Sequence, residues 1–203
     1  MVDMYSGVYV FEGIDNVGKT TIIHTLKQQI QETTDYRCVD IAFPGNEPRT
    51  LGNLVYDIHH HQEQYFNVPI NETSLQLLHI ASHIDLIQRQ LMPLSNSKYI
   101  VLLDRFWWST YVYGLAGGVE QNIIQSIIAT ELLYWKDIDI KKIFLIERRE
   151  RQKDYELSKE SNIIDEYRKL AQKELKCEKL DNNENLVEVV NKVYKSIFGD
   201  KIL

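Results

Sequence analysis

Short apolar, β-branched runs alternate along this chain with longer stretches in which apolar residues return every three or four positions. Residues 8–11, 39–42, 99–103, 143–146 and 177–180 have the length and composition of strands. Residues 20–31, 51–60, 74–94, 121–134, 163–176 and 186–198 carry the helical spacing, and they are too long to be hairpin loops. Strands separated by helices predict an α/β architecture: a three-layer, doubly wound, five-stranded parallel sheet whose ligands gather at the carboxyl ends of its strands. Residues 147–161 break the pattern. They are almost entirely charged and polar, cannot be buried without partners, and read either as a solvated loop or as a short lid. No repeat, low-complexity tract or linker interrupts the alternation, so residues 1–203 are expected to form one domain.

Composition narrows the partners. Lys and Arg number 23 against 29 Asp and Glu, a net charge of −6. That balance disfavours a nucleic acid polymer and leaves room for a small anion held by local positive groups. Cys38 and Cys177 lie far apart, with no CxxC and no histidine at metal-ligand spacing, and read as thiols in a reducing cytosol. No basic amino-terminal region leads into an apolar signal, and no apolar run approaches the roughly 18 residues of a membrane span. The expectation is a cytoplasmic protein without a membrane partner.

The chemistry begins directly behind the first strand. Gly13-Ile-Asp-Asn-Val-Gly18-Lys19-Thr20 fits G-x-x-x-x-G-K-[ST]. Phosphate oxygens need several converging donors, and backbone N–H groups converge only where the chain curls tightly, which the glycines permit. A helix opening at Lys19 adds its positive end. Gly13, Asp15, Asn16, Val17, Gly18, Lys19, Thr20 and Thr21 are therefore the candidate cradle for a nucleoside triphosphate, with Lys19 on the β- and γ-phosphates and the Thr20 hydroxyl on Mg²⁺. A GTPase switch is disfavoured, because the only Asn-Lys pair, Asn191-Lys192, lacks the following aspartate and no switch DxxG is present. Asp104-Arg105 closes the third strand where it would face the cradle; the aspartate suits Mg²⁺ and the arginine can fork onto the phosphate of a second substrate. Glu12 and Asp15 are awkward beside a polyphosphate unless they face an acceptor, where a carboxylate can take a hydrogen bond from a sugar hydroxyl or hold metal-bound water. Asp15 alternatively caps the turn.

Phe11-Glu-Gly-Ile-Asp-Asn-Val-Gly-Lys-Thr-Thr21, then Phe43-Pro44-Gly45 with Glu47-Pro48, then Asp104-Arg105-Phe106 with Ser109 and Tyr113-Gly114, resemble the thymidylate kinase family in order and spacing, from about Val8 to the C-terminus. The resemblance implies a P-loop kinase fold, ATP and Mg²⁺ on one side, a deoxynucleoside monophosphate on the other, and a homodimer. It implies transfer of the γ-phosphoryl group of ATP to the monophosphate, most simply dTMP, by positioning and charge neutralisation. Lys19, Asp15 and Arg105 would be catalytic, and Thr20 with Asp104 would hold the metal.

Such kinases place a further arginine either in the cradle or in the lid. The cradle positions here are Ile14, Asp15, Asn16 and Val17, so the resemblance points to Arg148, Arg149 and Arg151. The alternative is a solvated helix in which Glu147 and Glu150 pair with those arginines. The acceptor pocket departs from the family pattern. His79, Ser82 and His83 stand where an aromatic residue followed by Asn-Arg is expected, and Arg49 lies three residues beyond the arginine position occupied by Asn46. The candidate acceptor residues are Glu12, Phe43, Pro44, Arg49, His79, His83, Arg105 and Tyr113. Trp107 and Trp108 read equally as a base-stacking face or as packing. His59-His60-His61 reads as a solvated helix end, because consecutive residues do not share a helix face. Rival readings are a deoxynucleoside kinase, a kinase for a modified pyrimidine monophosphate, and a nucleotide-binding protein without chemistry.

Overall fold

The computed structural model describes residues 4–45, 47–95, 98–149 and 161–199. Five strands form one parallel sheet: β1 (Gly7–Glu12), β2 (Arg37–Ala42), β3 (Tyr99–Asp104), β4 (Ile140–Glu147) and β5 (Cys177–Asp181), in spatial order β2-β3-β1-β4-β5. The order explains the composition of each strand. Central β1 is buried along its whole length as Gly-Val-Tyr-Val-Phe-Glu, whereas the edge strands carry exposed Arg37, Lys179 and Asp181. The register sets Ala42 and Phe11 on either side of Asp104, Glu12 beside Leu145 and Glu147 beside Asp181. Carboxylates from four strands thus share one rim, and the ligand chemistry predicted for that rim has a place to act.

Helices α1 (Lys19–Thr33), α2 (Leu51–His60), α3 (Glu72–Leu86), α4 (Met92–Ser95), α5 (Trp107–Ala116), α6 (Gln121–Trp135), α7 (Ser161–Lys173) and α8 (Leu186–Phe198) cover the sheet. Helix α1 packs against α8, while α3, α5 and α6 pack on one another and α7 packs on α5. Ile22, Leu26, Ile30, Val189, Val193 and Tyr194 are buried with the strand residues in one continuous apolar cluster.

The strands and most helices fall where the hydrophobic pattern put them. The single helix expected over residues 74–94 is three pieces: α3, a π-helical turn at Ile87–Leu91, and α4. Helix α5 was not foreseen. Its sequence Trp-Trp-Ser-Thr-Tyr-Val-Tyr-Gly-Leu-Ala is apolar or hydroxylic almost all round, because it is enclosed by α3, α6 and α7, so the polar stripe that marks a surface helix is missing.

Candidate functional site

The cradle is built largely from backbone. Gly13 and Gly18 adopt φ of 141° and 96°, and Asn16 adopts 61°, so the loop curls through conformations that side chains resist. A Cβ on Gly13 would lie 2.4 Å from the carbonyl oxygen of Ile146, and one on Gly18 would lie 2.5 Å from Asn182 Nδ2, so β4 and the turn after β5 press against the loop. Val17 turns its side chain into the core and offers only backbone, its carbonyl accepting from Asn182 Nδ2 at 2.6 Å. Lys19 opens α1, is buried, and donates to the carbonyls of Gly13 and Ile14 at 2.9 and 2.8 Å. Burial, then the nearby charge of Arg105, lowers its pKa to about 8. A cation held that far below its ordinary value gains most from an arriving polyanion.

Thr20 Oγ1 donates to Asp104 Oδ2 at 2.8 Å, while Asp104 Oδ1 is buried with no hydrogen-bond partner among the described residues. A buried unpaired carboxylate oxygen beside a hydroxyl is the donor set that Mg²⁺ accepts, so these residues fit the metal.

Arg105 leaves β3 at φ 71°, a left-handed conformation that costs a non-glycine residue about 1 kcal/mol or more. Its Nη2 donates to Asp15 Oδ1, and its Nη1 reaches Ser109 Oγ at 2.8 Å, the Gly13 carbonyl at 3.2 Å and the Tyr167 hydroxyl at 3.4 Å. Burial opposes the charge, yet Tyr167, Tyr113, Asp15 and Glu12 together raise the pKa above its ordinary value, so the guanidinium stays protonated. Among the described residues the Asp15 carboxylate pairs with Arg105 and also accepts from the Tyr113 hydroxyl at 3.3 Å, rather than capping the turn. Tyr113 lies under the guanidinium, 5.6 Å from its carbon to the ring centre.

Glu12 is a correction. It does not face an acceptor; it is fully buried, and its Oε1 accepts from the N–H groups of Phe106 and Ser109 at 2.9 and 3.1 Å while Oε2 accepts from Ser109 Oγ at 2.7 Å. Helix α5 has no side-chain cap of its own, and this carboxylate from β1 serves instead. Burial raises the Glu12 pKa, with Arg105 the largest opposing influence.

A cavity of about 320 Å³ opens beside Arg105 and Asp15, closed by Phe43, Pro44, Gln76, His79, His83 and Tyr113, with Tyr56, His59 and His60 on its wall. His83 stacks on Phe43 with ring centres 4.2 Å apart, and its Nδ1 lies 3.0 Å from Glu131 Oε2. Glu131 is fully buried, and its other oxygen accepts from Trp135 Nε1 at 2.8 Å. His79 Nε2 lies 2.8 Å from His59 Nδ1; burial, then the neighbouring His83, His59, His60 and Arg105, holds His79 well below its ordinary pKa. The histidine run is thus more than a solvated helix end, since His59 and His60 reach the cavity wall. No group of three metal-ligating side chains occurs among the described residues. Trp108 is buried in the core, and neither Trp107 nor Trp108 lines the cavity. Arg49 is not among the residues lining that cavity. The turn from Glu47 to Thr50, closed by Thr50 Oγ1 on the Glu47 carbonyl at 2.7 Å, holds Arg49 at φ 67°. It lines a different cavity of about 480 Å³ with Thr20, Asp40, Asp85 and Asp104.

On the other side of the cradle, Gly18, Thr21, Arg148, Asn182, Asn183, Glu184 and Leu186 line a third cavity of about 260 Å³. The Arg149 N–H donates to Asn183 Oδ1 at 3.0 Å. Arg148 and Arg149 therefore stand beside the cradle at the end of β4, and Arg151 lies outside the described residues, as does most of the segment read as a lid. Residues the sequence reading passed over are Glu131, Tyr167, Asn182, Asn183 and Arg168, whose Nε donates to Glu147 at 2.8 Å. The Asn182-Asn183 turn after β5 was the one legible hint among them, because it falls at the carboxyl end of a strand.

Fold, cradle and facing arginine define a nucleotide-binding α/β protein of the phosphoryl-transfer class. The thymidylate kinase family model matches residues 11–194, and the chain belongs to that family. It is 28% identical over 201 residues to the thymidylate kinase of Blochmanniella pennsylvanica, covering 92% of each chain. It is 32% identical over 162 residues to that of Caldanaerobacter subterraneus subsp. tengcongensis, covering 73% of this chain and 74% of the relative. A crystal structure of thymidylate kinase from Ehrlichia chaffeensis shares the fold with a TM-score of 0.74 at 22% identity, covering 95% of this chain and 98% of that one.

Proposed function

We propose that this protein is a nucleoside monophosphate kinase that transfers the γ-phosphoryl group of ATP to dTMP, giving dTDP and ADP. One observation carries the reading: Arg105 from β3 and Asp15 from the phosphate cradle meet at the mouth of the 320 Å³ cavity, so a monophosphate seated there would point its phosphate at the cradle. Lys19 and the cradle amides bind the phosphates of ATP. Thr20 and Asp104 hold Mg²⁺, which supplies charge neutralisation at the transferring group. Arg105 takes the acceptor phosphate, Tyr113 and Phe43 flank the nucleoside, and His79 and His83 meet the base. Arg148, Arg149 and Arg151 provide the cation that balances charge as the γ-phosphoryl moves. A deoxynucleoside kinase would need a free general base at a 5′-hydroxyl. The engagement of Glu12 with α5 and of Asp15 with Arg105 argues against it.

The imidazoles at the base end favour one second reading, the same reaction on a modified pyrimidine monophosphate. A panel of deoxy- and ribonucleoside monophosphates with Mg-ATP tests both. Turnover greatest with dTMP is expected; preference for another pyrimidine would move the assignment to the second reading, and ATP binding without transfer to any monophosphate would defeat both. The homodimer and the cytoplasmic location belong to the same proposal. Helices α3 and α6 pack on each other and leave Leu77, Leu132 and Leu133 exposed, which supports a second copy as their cover. No helix among the described residues is long and apolar enough to cross a membrane.

A further inference from the structure

Helix α7 contributes to the acceptor end a side chain that no motif announces. Tyr167 is 2% exposed, and its hydroxyl lies 2.8 Å from Ser109 Oγ and 3.4 Å from Arg105 Nη1. The protons in this cluster can be assigned from the partners alone. As a carboxylate, Glu12 only accepts: Oε1 takes two backbone N–H groups and Oε2 takes the Ser109 hydroxyl proton. Ser109 has only that proton to give. Its remaining lone pairs must accept, one from Arg105 Nη1 at 2.8 Å and one from the Tyr167 hydroxyl. Burial also raises the Tyr167 pKa well above its ordinary value, which keeps the hydroxyl a donor.

The consequence is an arginine with two unlike edges. Nη1 is anchored in the core by Ser109, Tyr167 and the Gly13 carbonyl. Nη2 is held by Asp15, whose side chain is 59% exposed and lines the cavity. An incoming phosphate competes with the exposed carboxylate for Nη2 and leaves the buried anchor in place. We propose that Tyr167 is a positioning residue of this site, fixing Nη1 of Arg105 so that Nη2 is presented to the terminal phosphate of a nucleoside monophosphate. This rests on the kinase reading above for the identity of the ligand, but the anchoring itself does not depend on turnover.

The test is Tyr167→Phe in the full chain, which removes the hydroxyl and keeps the ring in the core. KM for the monophosphate should rise about tenfold, with KM for ATP and Tm unchanged. In an Arg105→Lys background, which lacks the forked edge, the same substitution should add nothing further. An activity-independent readout is the ¹⁵N NMR spectrum: separate Nη signals from a guanidinium locked in place are expected for Arg105, merging in Tyr167→Phe. Unchanged KM and unchanged Arg105 signals overturn the proposal. So does an equal effect in the Arg105→Lys background, or a rise in both KM values together with a fall in Tm, which would mark Tyr167 as packing only. If the unaltered protein phosphorylates no monophosphate, the kinase reading fails, while the NMR comparison still decides the role of Tyr167.

Discussion

The two ends of the site are made in different ways. The donor end is a run of contiguous residues, Gly13 to Thr20, whose contacts come mainly from backbone and from one lysine at the start of α1. The acceptor base end is assembled from side chains on four separate stretches: Phe43, then His59 and His60 on α2, then His79 and His83 on α3, with Glu131 on α6 behind them. A backbone-built site must keep its glycines and its spacing, so it is readable as a string. A side-chain-built site is constrained only in space, and its members can change chemistry while the cavity persists.

The arginines that follow β4 in the sequence test the comparison most severely. Replacing Arg148, Arg149 and Arg151 together by alanine should lower kcat about 10³-fold or more while changing ATP affinity little, as measured by steady-state kinetics and direct ATP titration. Unchanged turnover would return these residues to the role of a solvated charged segment.

Glu131 sharpens the acceptor side. Glu131→Ala removes the buried partner of His83 and Trp135 and should cost about 3 kcal/mol of stability in urea unfolding, because breaking a buried pair leaves the other group uncompensated. KM for the monophosphate should rise and KM for ATP should not. An equal rise in both would mean that α6 supports the whole rim rather than the base end.

The donor side carries a smaller, pH-dependent signature. Free Lys19 has its pKa lowered to about 8, and bound phosphates raise it. Binding therefore takes up a proton only when the pH lies between the two values. ATP affinity should be flat below about pH 8 and fall roughly tenfold per unit above it until the raised value is reached. Calorimetry in buffers of different ionisation enthalpy measures that uptake, and Lys19→Arg, whose charge does not titrate in this range, should abolish it.

What was legible follows the same division. The strands and the cradle could be anticipated because buried β-runs, glycine spacing and the Lys-Thr pair are local signals. Asp104-Arg105 was legible because it closes a strand. Helix α5 was not, since apolar and hydroxylic residues almost all round erase the polar stripe that identifies a surface helix. Glu12 was misread because its partners, Phe106 and Ser109, are nearly a hundred residues away and nothing near it in sequence reveals that it caps another helix. Glu131 and Tyr167 sit in ordinary amphipathic helices, and only the packing of α6 and α7 gives them meaning. Arg49 was close to its expected place in sequence, but the local turn directs it to another cavity.

The central claim is that two nucleotides meet phosphate to phosphate between Lys19 and Arg105. Titration with adenosine and thymidine joined 5′ to 5′ by an oligophosphate tests it most directly, because one molecule would span both ends and avoid the second association cost. One molecule per chain, bound orders of magnitude more tightly than ATP or dTMP and weakened by both Lys19→Met and Arg105→Ala, is the predicted result. Affinity no better than that of ATP alone, or indifference to Arg105→Ala, would contradict the account.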